Sequence, residues 1–316
     1  MNPDHLSSPH FQGVLSIRGE CSIYYELRGM YEPAAPTNSS ITTNNNAVVL
    51  IMGAFATRRH FDELADFLAS EGCAVLSYDH RGIGKSTCIK PSETQTSVML
   101  ANDCVALCDH VFGQAASVHV YGASMGGCIA QHVALTFLSL SRLKSLYLAV
   151  TTRGNYFTLP LPQWIWKFLV QNLIVKSNSQ EMIMDLVPKC FDAAYLETKS
   201  SSGKSMRERW EEKWTNEYRD WFSFSDAQAT AAQCSVFATH YLSAQQLQPL
   251  MAFRDHVTVH IAEKDDLMPP SKQLELGHLL QAKLIVFAGG HMGNEADKDL
   301  FFKGVFESMT TGQSIS

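Results

Sequence analysis

The stretch VHVYGASMGGCIAQHV, residues 118–133, decides how this chain folds. It begins with an apolar run typical of a buried strand, and its later residues predict a helix. Between the two lies Gly122-Ala123-Ser124-Met125-Gly126, a G-x-S-x-G pattern. The small residues two before and two after the serine let strand and helix approach closely, and the sharp turn exposes the serine hydroxyl. The alternative interpretation of this motif is a glycine-rich turn without a catalytic role.

Strands and helices alternate on both sides of this turn. Short apolar runs at 47–53, 73–79 and 143–150 predict buried strands, and helical periodicity fills the gaps between them. Such alternation implies right-handed crossovers and a mostly parallel sheet flanked by helices, which is an α/β fold. The alternation of predicted strands and helices stops at Thr151 and resumes after His240 with two more strands and helices.

This interruption predicts that the chain is divided into three parts. Residues 1–150 form the first part of an α/β core, residues 151–240 an inserted helical cap over the carboxyl ends of the strands, and residues 241–316 the second part of the core. Two β-rich runs at 12–17 and 22–27 predict a hairpin. The proline-, serine- and asparagine-rich segment 31–46 predicts a flexible insertion.

Composition excludes several classes of function. The net charge of −6 argues against nucleic-acid binding, which requires clustered lysine and arginine. The chain has no apolar run long enough to span a membrane and no visible secretory signal at its start. Its eight cysteines show neither CxxC nor metal-ligand spacing, so we expect reduced thiols, a cytoplasmic location, and no metal or other cofactor. The oligomeric state stays open.

The stretch RGIGKST, residues 81–87, ends like a phosphate-binding loop. That loop needs a glycine five positions before Gly84, and the residue there is Asp79. A carboxylate would repel a phosphate instead of cradling it. The spacing therefore argues against nucleotide binding.

An exposed serine acts as a nucleophile only beside a general base that a carboxylate orients. His291 is the base that we predict, because it follows the last predicted strand on a glycine-flanked loop, at the same sheet edge as Ser124. The other histidines considered fall in predicted helices or inside strands: His60, His110, His119, His132, His260 and His278. The stretch after the preceding strand offers Glu263, Asp265 and Asp266; we choose Asp265, with Asp266 as the alternative.

Acyl transfer also requires N–H donors for an oxyanion. The backbone N–H of Met125, at the start of the helix, is one expected donor, and that of Ala54, after the first buried strand, is the other. Gly53 allows the loop before Ala54 to turn inward without a side-chain clash.

These motifs resemble those of the α/β-hydrolase-fold serine hydrolases, the superfamily of esterases, lipases and peptidase-like enzymes with helical caps. The order Ser…Asp…His matches. YDHRGIGKST resembles the family loop D-x-R-G-x-G-x-S, which explains the Gly-Lys-Ser-Thr ending as part of a structural loop. Two positions depart from the family: Ala262 stands where the acid loop has glycine, and Met52-Gly53 replaces the frequent His-Gly.

All five tryptophans lie between Thr151 and His240. Ser205 and Glu208 predict a capping box, and a stripe of large apolar side chains follows it at helical spacing. Most of these side chains are expected to pack the cap, and the remainder to form the roof of an apolar pocket. The residues that we expect to contact substrate are Phe55, Trp164, Trp166, Trp210 and Trp214.

The sequence thus predicts a hydrolase that cleaves carboxylic esters of apolar acids or alcohols through an acyl-enzyme. Thioester, lactone or carbon–carbon bond hydrolysis with the same triad is a first alternative. A ligand-binding receptor on a hydrolase scaffold, with little turnover, is a second.

Overall fold

A single mixed sheet is the centre of the protein. The computed structural model describes residues 11–18, 20–31, 46–88, 94–154, 179–221, 227–293 and 298–310. Nine strands in these residues form the sheet. In chain order they are β1 (Phe11–Ile17), β2 (Cys21–Arg28), β3 (Asn46–Ile51), β4 (Cys73–Tyr78), β5 (Thr87–Cys88), β6 (Val118–Ala123), β7 (Leu143–Ala149), β8 (Val257–Ala262) and β9 (Lys283–Phe287).

The strand order across the sheet is β1-β2-β4-β3-β6-β7-β8-β9, with β5 paired to β2. From β4 to β9 every neighbouring pair is parallel, whereas the pairs that involve β2 are antiparallel. Every residue of β3, β4 and β8 is buried, as expected for parallel strands covered on both faces. The expected mostly parallel sheet is therefore present, and the predicted hairpin is β1–β2.

Helices cover both faces of the sheet. Buried residues of α2, α3 and α9 form one apolar core with the sheet, and those of α1 and α10 form a second core on the opposite face. The helices that the structure describes are α1 (Asp62–Ser70), α2 (Ser97–Phe112), α3 (Met125–Ser139), α4 (Ser179–Cys190), α5 (Ala193–Glu197), α6 (Met206–Trp221), α7 (Ala227–Thr239), α8 (Ala244–Ala252), α9 (Pro270–Leu280) and α10 (Lys298–Thr310).

The described part of the segment between β7 and β8 is mostly helical, apart from short irregular stretches and two isolated β-bridges, Gly154 with Tyr241 and Lys199 with Ser205. Its helices α4, α5 and α6 share a third apolar cluster, called here the helical cluster: Ile183, Val187, Cys190, Phe191, Leu196, Trp210 and Trp214. Helix α6 begins as expected, because Ser205 N–H donates to the Glu208 carboxylate (2.7 Å) and Glu208 N–H to the Ser205 hydroxyl (3.2 Å). The capping box is confirmed; the boundaries of a cap at 151 and 240 stay a prediction.

The structure describes only the first and last residues of the flexible insertion predicted at 31–46, and both make specific contacts. Asn46 is buried as the first residue of β3, and the Tyr31 hydroxyl donates to the Phe112 carbonyl at 2.7 Å. The aromatic ring and the strand pairing supply contacts that the polar composition of the segment does not reveal. Residues 32–45, the rest of the predicted insertion, lie outside the described residues.

Asp79 explains why the Gly-Lys-Ser-Thr loop is structural. Its carboxylate accepts the backbone N–H of Arg58 (2.8 Å) and of Lys85 (3.0 Å), and it pairs with the Arg58 guanidinium (3.1 Å). A Cβ on Gly84 would lie 2.4 Å from the same carboxylate. The side chain of Asp79 thus occupies the loop interior, where a phosphate would have to bind.

Candidate active site

Ser124 lies on a strained turn between β6 and α3. Its backbone has φ 57° and ψ −123°, in a region that residues with side chains rarely adopt and that costs about 1–3 kcal/mol. Hydrogen bonds hold this conformation: Ser124 N–H donates to the Ala149 carbonyl (2.9 Å), and the Ser124 carbonyl accepts from the Thr151 hydroxyl (2.7 Å) and from Gly127 N–H (2.9 Å). These hydrogen bonds therefore keep Ser124 in its strained backbone conformation.

The two glycines of the G-x-S-x-G pattern bring strand and helix together. A Cβ on Gly122 would lie 2.4 Å from the Gly126 carbonyl oxygen, and a Cβ on Gly126 would lie 2.0 Å from the Ile51 carbonyl oxygen. Both contacts are with backbone atoms, which cannot move without displacing β3 or α3. Only glycine fits at these positions while Ser124 keeps its place.

Gly126→Ala is expected to destabilise the fold by about 3 kcal/mol or more, since the new methyl group overpacks the junction of α3 and β3. Helix propensity alone would favour alanine by only about 1 kcal/mol, so the clash decides the outcome. Urea unfolding followed by circular dichroism measures the change. Gly304→Ala is the matched control, because it also lies in a helix but its Cβ meets no atom within 4 Å. Equal stability of the two variants would contradict the close approach.

The loop after β3 lies directly against the serine. A Cβ on Gly53 would lie 3.3 Å from Ser124 Cβ and 3.8 Å from its hydroxyl oxygen, so the Gly53 backbone borders the nucleophile. Phe55 has φ 64°, which turns the chain back after Ala54. Ala54 is thereby on the strained loop beside Ser124, and Met125 is the first residue of α3, whose initial N–H groups lack partners within the helix.

Two residues that the sequence analysis did not identify hold this loop. The buried Gln233 of α7 accepts the Phe55 N–H at 2.6 Å across a separation of 178 residues. A ring nitrogen of His80 is 2.8 Å from the Met52 carbonyl, and burial lowers the pKa of this histidine. Because a carbonyl oxygen only accepts, this ring nitrogen donates to Met52. Gln233 belongs to no motif, and His80 occupies a variable position of the loop D-x-R-G-x-G-x-S, so only the folded contacts reveal their parts.

Asp265 and His291 form a partly buried hydrogen bond. His291 Nδ1 lies 2.7 Å from Asp265 Oδ2, and the carboxylate is completely buried. Because an ionised carboxylate only accepts, Nδ1 carries the proton and Nε2 is left to accept one. Asp266, the alternative acid, has a side chain that is 62% exposed and lies 3.7 Å from the Lys189 ammonium. Of the two adjacent carboxylates, Asp265 is the one that contacts the histidine.

The strand ends bring Ser124 to the same edge of the sheet as this pair. Ser124, Asp265 and His291 follow β6, β8 and β9, which are parallel to one another, so all three leave the sheet at its carboxyl edge. Backbone hydrogen bonds link the strands at this edge: Ser124 N–H donates to the Ala149 carbonyl, and Val150 N–H donates to the His260 carbonyl. The arrangement matches the site that open α/β sheets form.

Other histidines are built into the core. Burial lowers the pKa of His119, His240 and His260 to about 3, so their rings stay neutral at physiological pH. Their Nδ1 atoms lie within hydrogen-bond distance of hydroxyl groups, those of Ser145, Ser97 and Tyr147 respectively. His119 and His260 lie in strands, as predicted, and these contacts are structural.

The tryptophans expected at the substrate are distributed differently. Trp214 is fully buried and Trp210 is 5% exposed. Inside the helical cluster Trp210 stacks on Phe191, and the ring of Trp214 is tilted against the same phenylalanine. The sequence allowed either role for these tryptophans, packing of the cap or contact with substrate, and the contacts observed are those of packing. Contact of Trp210 and Trp214 with substrate stays a prediction that these contacts do not support. Trp164 and Trp166 lie outside the described residues.

The described part of the chain contains no group of three or more His, Cys, Asp or Glu side chains arranged to hold a metal ion. None of its helices combines the length and apolarity needed to cross a membrane.

Comparison with known proteins supports the architecture. A family model described as alpha/beta hydrolase fold matches residues 46–297. No curated protein matches the chain with significant similarity. Among solved structures, an enol-lactonase from Burkholderia xenovorans has a TM-score of 0.70 at 20% identity, with 94% of this chain and 100% of the other covered.

Two further structures differ in their named activities. An esterase from Thermogutta terrifontis has a TM-score of 0.71 at 17% identity, with 96% of this chain and 100% of the other covered. A bromoperoxidase from Bacillus anthracis has a TM-score of 0.70 at 17% identity, with 95% and 99% covered. Likeness at such identities shows the fold alone, and the predicted fold class is confirmed.

Proposed function

Because the chain belongs to the α/β-hydrolase fold family, we propose that it is a serine hydrolase that cleaves carboxylic esters of apolar acids or alcohols. The observation that carries this proposal is the hydrogen bond between the buried Asp265 carboxylate and His291, at the sheet edge where a strained turn holds Ser124. A nucleophile, a base and an orienting acid are the three groups that acyl transfer requires.

The proposed reaction has two halves. In the first, the Ser124 hydroxyl oxygen attacks the ester carbonyl carbon while His291 Nε2 takes the hydroxyl proton. The tetrahedral intermediate then expels the alcohol, which receives that proton, and an acyl-serine remains. In the second half, water gives a proton to His291 and attacks the acyl carbon; the acid leaves and Ser124 recovers its proton. Asp265 holds the imidazole tautomer throughout and stabilises its transient positive charge.

The oxyanion of each intermediate is proposed to accept from the backbone N–H groups of Met125 and Ala54. Met125 begins α3, so the helix dipole adds positive potential at its N–H. Ala54 lies between Gly53, whose backbone borders Ser124, and Phe55, whose N–H is held by Gln233. Such preorganised donors commonly supply about 2.7–4 kcal/mol each.

We propose further that the helical segment 151–240 is a cap over this site. Three contacts support it: Gln233 of α7 accepts Phe55 N–H, the Cys190 carbonyl at the end of α4 accepts Met292 N–H (2.8 Å), and Leu267 and Met292 pack on the helical cluster. The segment thus touches the loops that carry Ala54, Asp265 and His291. An apolar roof favours substrates with apolar acyl or alkyl groups.

The cytoplasm is the proposed location. None of the eight cysteines, all of them in the described residues, forms a disulfide, and burial raises the pKa of several of them, Cys73 and Cys128 to about 11. Inert buried thiols of this kind fit a reducing compartment.

A series of p-nitrophenyl esters, from acetate through butyrate and octanoate to palmitate, tests the proposed activity. We expect kcat/KM to rise with acyl length up to an optimum, by as much as about fourfold per buried methylene, because each methylene gains about 0.8 kcal/mol. Absence of turnover with every ester, together with thermal stabilisation by the matching fatty acids, would instead support the receptor alternative. A preference for acetate would contradict the apolar pocket.

A further inference from the structure

Gln273 of α9 contacts the proposed triad acid with a fully buried side chain. Its amide Nε2 donates to Asp265 Oδ2 at 2.8 Å and to the Met268 carbonyl at 2.6 Å. Its Oε1 accepts the N–H of Ala262, the last residue of β8, at 2.9 Å. The Ala262 N–H requires an acceptor, so the orientation of the amide is determined: its oxygen faces the strand and its nitrogen faces Asp265.

The carboxylate of Asp265 is saturated by these donors. Oδ1 accepts the backbone N–H groups of Leu267 and Met268, each at 2.8 Å, and Oδ2 accepts from Gln273 and His291 at 2.8 and 2.7 Å. A carboxylate oxygen offers two lone pairs, and the Gln273 amide occupies one of those on Oδ2. Rotation of the carboxylate would break several of the four bonds together.

We infer that Gln273 is a positioning residue that holds Asp265 so that its remaining Oδ2 lone pair faces His291. This inference rests on the proposed function, because it assigns Gln273 a part in that same triad. The two loop N–H groups on Oδ1 restrain one oxygen, and they come from the same short loop as Asp265 itself. Gln273 adds a restraint from α9, and through Ala262 it ties the acid loop to the sheet.

Shape and charge explain why glutamine suits this position. A neutral amide donates to the carboxylate without adding charge to a buried site, and its oxygen meets the strand N–H at the same time. An apolar side chain of equal length fills the space but leaves both Asp265 Oδ2 and Ala262 N–H short of a partner. The amide group and not the volume is therefore the property that the inference concerns.

Gln273→Met tests the inference, because methionine has nearly the same length and volume but no amide. We expect kcat for the best p-nitrophenyl ester to fall about tenfold with KM changed by less than about twofold, since the substrate does not touch this residue and only the triad geometry changes. Lys272→Met is the matched control: it creates the same residue one position earlier, where the side chain pairs with Glu275. Its kinetics should equal those of the wild type.

A double-mutant cycle separates positioning from a general structural effect. If Gln273 acts through Asp265, then Gln273→Met will have no further effect on kcat in an Asp265→Ala background, where no carboxylate is left to hold. A structural role would instead lower kcat by the same factor in both backgrounds, and that result would overturn the inference. Gln273→Leu, a stiffer apolar replacement, repeats the cycle if the methionine variant is poorly folded by circular dichroism.

Proton NMR supplies a readout that needs no turnover. The downfield Nδ1–H resonance of His291, assigned by its loss in His291→Ala, should shift or broaden in Gln273→Met and stay in place in Lys272→Met. A shifted resonance in a protein without esterase activity would support the positioning role while refuting the proposed function. Normal esterase activity in the wild type with unchanged kcat and resonance in Gln273→Met would refute the positioning role alone.

Discussion

Ser124→Ala is expected to lower kcat for ester hydrolysis by about 10⁴-fold or more, because the reaction then has no nucleophile that His291 can activate. Substrate binding should persist, since the oxyanion donors belong to the backbone of Ala54 and Met125. Hydrolysis of the best p-nitrophenyl ester measures the loss of turnover, thermal stabilisation by a fatty acid measures the retained binding, and mass spectrometry after a single turnover detects the acyl-enzyme. The acyl adduct should appear on the peptide that contains Ser124 and be absent from the variant.

Ser141→Ala is the matched control for this variant. Ser141 also has a positive φ, 56° against 57° for Ser124, but it is exposed at the turn after α3. The same chemical change is therefore made at another serine with positive φ, away from the carboxyl ends of the strands. We expect wild-type kinetics from Ser141→Ala; equal ester hydrolysis by the wild type and Ser124→Ala would refute the assignment of the nucleophile.

Asp265→Asn is expected to lower kcat by about 10⁴-fold, with the fold retained. An asparagine amide that donates to Nδ1 favours the tautomer with the proton on Nε2, which cannot accept the serine proton. The buried site also loses the negative charge that stabilises the imidazolium. Steady-state kinetics and circular dichroism measure the two properties separately.

Asp266→Asn distinguishes between the two adjacent acids. Its side chain is largely exposed and lies near Lys189, so the loss of one exposed charge is expected to change kcat by less than about twofold. The pair of variants differs only in which of two neighbouring carboxylates becomes an amide. Large loss in Asp266→Asn with activity retained in Asp265→Asn would show that the contact with His291 is not catalytic.

The local elements of the site could be predicted because their signals are local. The strand, turn and helix around Ser124 follow from glycine spacing and periodicity within one short stretch, and the capping box of α6 follows from Ser205 and Glu208. The choice between Asp265 and Asp266 could only be guessed. It depends on the fold of the loop, in which the backbone N–H groups of Leu267 and Met268 donate to Asp265. Two adjacent aspartates in the sequence do not show which of them receives these hydrogen bonds.

The tryptophans of α6 also show what periodicity leaves open. Periodicity correctly placed Trp210 and Trp214 on one face of a helix, but it does not show which residues pack against that face. In the fold the face meets Phe191 and the rest of the helical cluster, so two residues expected at the substrate are core side chains in all their described contacts. Burial of large apolar surface is favourable in either place, so energy alone could not decide.

The amino-acid sequence is enough to predict the alternation of strands and helices, the turn that carries Ser124 and the loop positions of Asp265 and His291. Periodicity, glycine spacing and strand ends are properties of neighbouring residues, so they can be read from one chain. The contacts of Gln233 with the Phe55 loop and of Gln273 with Asp265 become visible in the folded protein alone. A side-chain amide makes such contacts wherever the fold brings a buried donor or acceptor to it, and no local pattern marks the partner in advance.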